Sequence, residues 1–84
     1  MAKIKIYTAS YCPYCRAAKA LLDGKKIAYE EIDVTDDKKF KALIKRTGWK
    51  TVPQIFINNE LVGGFQELQA LEEKGGLDKK LKSA

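Results

Sequence analysis

Lys3-Ile4-Lys5-Ile6-Tyr7, followed after a short link by Cys12-Pro13-Tyr14-Cys15-Arg16-Ala17-Ala18-Lys19-Ala20-Leu21-Leu22, changes its apolar period from two to about 3.6 within a few residues. Polar and apolar positions alternate from Lys3 to Tyr7, as in a strand with one buried face. From Pro13 to Leu22 the residues Ala17, Ala18, Leu21 and Leu22 recur at helical spacing, and Gly24 is the stop. A strand that feeds a helix in this way opens a β-α-β unit. The only two cysteines of the chain, Cys12 and Cys15, fall on the junction.

Beyond the junction the alternation of elements continues. Ile27 to Val34, with Tyr29, Ile32 and Val34, reads as a second strand, parallel to the first because the connection runs through a helix. Asp36 is placed to cap a second helix whose Phe40, Leu43 and Ile44 face inward and which closes at Gly48. Gln54 to Ile57 and Glu60 to Val62 read as an antiparallel hairpin through Asn58-Asn59, side chains that tolerate positive φ. Gly63-Gly64 breaks the strand, and Phe65 to Lys74 forms a helix with Leu68 and Leu71 on one face. Gly75-Gly76 then sets off a last turn or helix holding Leu77 and Leu81. The expected fold class is α/β, ordered β-α-β-α-β-β-α, with a four-stranded mixed sheet flanked by helices. Residues 1–84 are expected to form a single domain.

At 84 residues there is room for one small core and no separate regulatory module. Apolar residues at 45% and charged residues at 32% exclude intrinsic disorder, a collagen-like repeat and a disulfide-dense scaffold. No apolar run approaches the roughly 20 residues of a membrane span, and the first residues lack a signal core, so a cytoplasmic location without membrane association is expected. Sixteen basic against eleven acidic side chains leave a net charge of +5. The lysines are interleaved with acids and carry no aromatic stripe, which argues against nucleic acid and for a weak field favouring acidic small molecules. The chain has no histidine, so imidazole acid–base chemistry and most transition-metal sites are excluded. Chemistry is left to cysteine, carboxylates and lysine.

Three inert roles for the cysteine pair fare poorly. A structural zinc ion needs about four Cys or His ligands, and two are available. A disulfide closing a ring of roughly four residues stabilises by about 2 kcal/mol, against about 3 for a fifteen-residue loop. Two buried, unreactive thiols sit badly with Pro13 and Tyr14 at a loop–helix junction, where backbone is usually exposed. The remaining role is a redox dithiol, the usual meaning of Cys-x-x-Cys near a β-α-β pattern. Cys12 falls at the first helical turn, where unpaired amides and the helix dipole stabilise a thiolate, and Pro13 suits the first helical position. Cys15 shares that face three residues on but lies inside the helix. Cys12 is therefore the expected nucleophile and Cys15 the resolving thiol.

Thr51-Val52-Pro53 precedes the third strand, and a proline there belongs at the strand's first residue or in a special turn. A cis Val52-Pro53 bond and an ordinary trans proline at a strand edge are the two readings, with cis found at only about 5% of such bonds. Placed beside Cys12, the Val52 backbone would offer its N–H and carbonyl to an extended thiol peptide, as strand-addition sites do.

Cys12-Pro13-Tyr14-Cys15, Thr51-Val52-Pro53 and Gly63-Gly64, in this order and at these separations, closely resemble glutaredoxins. The resemblance extends to Ile6-Tyr7-Thr8, Pro53-Gln54-Ile55-Phe56-Ile57 and Gly75-Gly76-Leu77, covers nearly the whole chain, and is strongest to small bacterial dithiol members. It implies a thioredoxin-like fold and a cis bond at Pro53. It also implies glutathione bound by Tyr14, by Thr51, Val52 and Pro53, and by the turn of Gly64, Phe65 and Gln66, with glutathione as reductant and no permanently bound cofactor. The implied partners are glutathionylated or disulfide-containing proteins, acted on by a monomer. Two departures touch glutathione recognition. Many family members have a lysine shortly before the redox motif, where this chain has Thr8-Ala9-Ser10. Many follow the paired glycines with Cys or Ser and two Asp, where this chain has Phe65-Gln66-Glu67. Arg16, Lys19, Lys45 or Lys50 would then supply charge, and Gln66 or Glu67 a side-chain acceptor. Trp49 is expected in the core or a packed loop rather than against substrate, and Phe65 either shields an apolar contact or caps its helix. The rival readings are an electron donor to ribonucleotide reductase, itself reduced by thioredoxin reductase, and an iron–sulfur module sharing a cluster between two protomers through Cys12.

Overall fold

The alternation of the first strand persists in β1 (Ile4–Thr8), where Ile4, Ile6 and Thr8 are buried and Lys5 and Tyr7 are half-buried on the other face. The computed structural model describes residues 3–82. After β1 come α1 (Pro13–Gly24), β2 (Glu30–Asp33), α2 (Asp37–Thr47), β3 (Gln54–Ile57), β4 (Glu60–Gly63), α3 (Phe65–Glu73) and α4 (Gly76–Lys82). The final segment is thus a short helix. Leu77 on it is buried, and the Leu81 side chain lies outside those described.

The strands form one sheet in the order β2-β1-β3-β4, parallel between β1 and β2 and antiparallel elsewhere. This is the expected four-stranded mixed sheet. Ile4, Ile6, Ile55 and Ile57 from its centre pack with Ala18 and Leu22 of α1, Leu68 of α3 and Leu77 of α4. That cluster places α1, α3 and α4 on one face. Arg46 of α2 donates to the Tyr7 hydroxyl at 2.8 Å, and its guanidinium lies 5.6 Å from the centre of the Tyr7 ring. Because Tyr7 points away from Ile6, α2 covers the opposite face.

Local signals account for most boundaries. The Asp36 carboxylate accepts from the amides of Lys38 and Lys39 at 2.8 and 3.2 Å, and Gly48 closes α2 at φ +77°. Asn58 and Asn59 turn the β3–β4 hairpin with φ of 52° and 68°. Several boundaries shift by a residue or more, and two of the shifts are instructive. β2 starts at Glu30 rather than Ile27 because Ile27 and Tyr29 pack against the core as a loop. The Ile27 amide returns to the Leu22 carbonyl at 3.0 Å instead of joining the sheet. β4 runs through Gly63, which still pairs with Ile55 across a register irregularity, so the strand breaks one residue later than the glycine pair suggested.

Candidate active site at the Cys12–Cys15 turn

The strand-to-helix turn is held by the Cys12 amide, which donates to the Ala9 carbonyl at 3.1 Å. Cys12 is the N-cap of α1 with extended backbone, and Pro13 occupies the first turn. Where a serine or aspartate oxygen normally accepts from the first free amides, the Cys12 sulfur does so: the Cys15 N–H donates to Cys12 Sγ at 3.2 Å.

Both cysteines are free thiols, and their surroundings differ. Cys12 retains 9% of its surface and Cys15 2%, so the sulfur nearer solvent is the first of the pair. Burial, and then the neighbouring Cys12, push the Cys15 thiol up to about 12 from an ordinary 9.0, against smaller opposing effects of the Ala9 backbone and the Lys19 charge. Lys19, one turn beyond Cys15, is engaged with Glu31 at 2.9 Å. That carboxylate also accepts from the Thr8 hydroxyl at 2.8 Å, and the two donors hold it below the usual carboxylate range.

Forty residues along the chain, the loop before β3 returns to the dithiol. The Val52-Pro53 peptide is cis, and the Cys12 thiol donates to the Val52 carbonyl at 3.4 Å. Val52 also packs on the small cluster of Ala9, Cys12 and Cys15. A groove of about 380 Å³ opens beside this contact. The Val52 loop supplies Thr51, Val52 and Pro53 to it, α1 supplies Tyr14, and the start of α3 supplies Gly64, Phe65 and Gln66. All seven residues that the family resemblance assigned to glutathione therefore come together in one groove. Tyr14 is 59% exposed, and its ring lies 6.4 Å from that of Phe65, tilted by 31°. Phe65 thus takes the wall position rather than serving only its helix.

Two further residues line the groove, Trp49 and Glu67. Trp49 is half-buried in the packed loop, as expected, but it also faces the groove, which a single aromatic residue in a loop does not announce. Glu67 uses one carboxylate oxygen to accept the Gly64 amide at 2.9 Å, closing the first turn of α3. That oxygen is engaged by the backbone, and the neighbouring Gln66 is exposed, as is Glu67 itself. Arg16, Lys45 and Lys50 are exposed and, like Lys19, do not line the groove. Ala9, in the Thr8-Ala9-Ser10 stretch that carries no base before the dithiol, is buried at 5% exposure. Among the described residues no group of three or more His, Cys, Asp or Glu side chains is gathered to hold a metal ion, and no helix is long and apolar enough to cross a membrane.

A mixed sheet with β1 feeding a helix capped by a dithiol, faced by a cis-proline loop, defines a thioredoxin-like thiol–disulfide oxidoreductase. Comparison with known proteins narrows the class. The glutaredoxin family pattern matches residues 4–62. Glutaredoxin 1 of Rickettsia conorii is 54% identical over 83 residues, covering 95% of this chain and 81% of the relative. Glutaredoxin 3 of Escherichia coli K12 is 47% identical over 83 residues, covering 98% of this chain and 100% of the relative. Among solved structures, a buckwheat glutaredoxin–glutathione complex superposes with a TM-score of 0.87 at 27% identity, covering 98% of this chain and 78% of that one. The chain belongs to the glutaredoxin family.

Proposed function

We propose that this chain is a glutathione-dependent oxidoreductase that reduces protein–glutathione mixed disulfides and protein disulfides, with Cys12 as nucleophile and Cys15 as resolving thiol. The observation that carries the reading is the position of Cys12 Sγ. It is the more exposed sulfur, it caps α1, and it lies 3.4 Å from the Val52 carbonyl beside the groove. The solved buckwheat relative is a glutathione complex, which supports the same ligand here.

On a glutathionylated protein, the Cys12 thiolate attacks the glutathione sulfur. The Cys12–glutathione S–S bond forms, the protein–glutathione bond breaks, and the protein thiolate leaves and takes up a proton. A second glutathione thiolate then attacks the glutathione sulfur held on Cys12, giving glutathione disulfide and returning the Cys12 thiolate. Cys15 takes no part. On a protein disulfide, Cys12 forms a mixed disulfide with one substrate sulfur and releases the other. Cys15, after losing its proton, attacks Cys12 Sγ and expels the reduced substrate. Two glutathiones reduce the resulting Cys12–Cys15 bond, producing one glutathione disulfide. In the groove, the Val52 backbone pairs with the extended tripeptide, the free amides at the start of α3 receive its carboxylate, and Tyr14 and Phe65 cover its stem.

Cysteine variants test the roles. Cys15→Ser is expected to retain reduction of a glutathionylated peptide and to lose reduction of a protein disulfide, whereas Cys12→Ser loses both, down to uncatalysed exchange. Survival of both routes in Cys12→Ser would refute the assignment. The buried, uncharged Ala9 and a groove wall without a lysine or arginine favour a second reading, an electron donor recharged by thioredoxin reductase and serving ribonucleotide reductase. A coupled assay on one disulfide substrate, driven either by glutathione with its reductase or by thioredoxin reductase, separates the two.

A further inference from the structure

We infer that Trp49 is a ligand-contacting residue of the groove, its indole N–H held for an oxygen of the bound glutathione where the tripeptide passes over Gly64. The inference rests on the glutathione reading above. Trp49 Nε1 is buried and has no hydrogen-bond partner. An indole nitrogen is only a donor, and buried donors in folded proteins are nearly always satisfied, so an orphan calls for a reason.

Its surroundings supply one. Trp49 lines the groove together with Gly64, and a side-chain carbon added to Gly64 would stand 3.9 Å from Nε1. Glycine at that position keeps the space beside the N–H free of side chain. Two protein acceptors lie around that added carbon's position, Glu67 Oε1 at 3.3 Å and the Pro53 carbonyl at 3.5 Å from it. Neither takes the indole proton, and Glu67 Oε1 already accepts from the Gly64 amide.

The tryptophan is also anchored. Its amide donates to Thr47 Oγ1 at 3.1 Å, and its carbonyl accepts from Nε2 of the fully buried Gln54 at 2.7 Å. A ring held at both backbone ends needs only a small side-chain adjustment to present its N–H to the groove. Among the described residues no lysine or arginine lines that groove. Neutral donors therefore carry the orientation of an anionic tripeptide, and among the described residues the indole is the buried side-chain donor left without a partner.

Because the chain has a single tryptophan, its indole gives one resonance in a proton–nitrogen correlation spectrum. The Cys15→Ser protein is treated with glutathione disulfide, so that Cys12 takes one glutathione and releases the other as free thiol. The indole resonance is expected to move downfield and its proton to become protected from exchange. In parallel, Trp49→Phe keeps an aromatic ring and removes the N–H. It is expected to raise KM for a glutathionylated peptide about fivefold, one neutral hydrogen bond, with kcat unchanged. An unmoved indole resonance on a fully glutathionylated protein, or an unchanged KM in a folded Trp49→Phe, overturns the inference and leaves the glutathione reading standing. Failure of Cys15→Ser to take up glutathione at all overturns both. The resonance is read on the native tryptophan, so it decides the matter even where the phenylalanine variant folds poorly.

Discussion

Two cysteines three residues apart are given different surroundings by the turn that holds them. Cys12 sits on the cap of α1 and keeps a window to solvent, while Cys15 is enclosed and resists ionisation. A thiol pushed up to about 12 keeps its proton at neutral pH while both cysteines are reduced. The same displacement links stability to pH. Below the unfolded value of 9.0 both folded and unfolded chains hold the Cys15 proton, and its contribution to stability is complete. From 9.0 to about 12 the unfolded chain gives up a proton that the folded chain retains, so that contribution is lost as pH rises. Denaturant unfolding of wild type and Cys15→Ser at pH 7, 9 and 11 should show the wild type losing ground against the variant above pH 9. A difference between them that stays constant across this range contradicts the burial argument.

Elements are delimited by their ends, and two glycines show that a positive φ can have different consequences. Gly48 closes α2 at φ +77°, and a side chain there would meet nothing within 4 Å, so Gly48→Ala costs only the backbone preference, about 1 kcal/mol. For a domain of this size that is a fall in melting temperature of roughly 5 °C. Gly63 at φ +128° ends β4, and a Cβ there would stand 2.8 Å from Glu67 Cγ. Gly63→Ala must displace the carboxylate that caps α3 through the Gly64 amide. It is expected to lower the melting temperature by roughly twice as much and to weaken glutathione uptake by Cys12. Thermal melts of the two variants, ranked the other way, would show that the Glu67 contact is dispensable. At α1 the cap is the Cys12 sulfur itself, so the end of the element and the candidate site are one feature.

For the whole molecule, the buried cluster joins the central strands to α1, α3 and α4, and α4 is carried into it by Leu77. Ion pairs tie the same parts at the surface: Lys25 with Glu72 at 2.6 Å and Lys80 with Glu60 at 2.9 Å. Lys25–Glu72 is half-buried, whereas Lys80–Glu60, the pair on α4, is more exposed and contributes about 0–1 kcal/mol, so the burial of Leu77 carries more of the attachment of α4. Leu77→Ala is expected to cost about 3 kcal/mol in equilibrium unfolding. A loss below about 1 kcal/mol would mean that α4 packs without contributing to the core.

What the amino-acid order determined by itself is whatever depends on neighbours a few residues apart. The period change into α1, the Asp36 and Gly48 ends of α2, the Asn58-Asn59 turn and the dithiol at a helix start all follow from short-range sterics and capping. Pairings between distant residues were decided only by the tertiary structure. The apolar pattern of Ile27 to Val34 announced burial, but β1 offers sheet partners only to Glu30–Asp33, so Ile27 and Tyr29 meet the core as a loop. In the same way, Val52 meeting Cys12, Trp49 lining the groove with its buried N–H unpaired, and Glu67 taken up by Gly64 exist only once the sheet has brought the β3 loop and the start of α3 beside α1. Periodicity says which side of an element is buried. Which group from elsewhere in the chain lies against it depends on the packing of the finished fold.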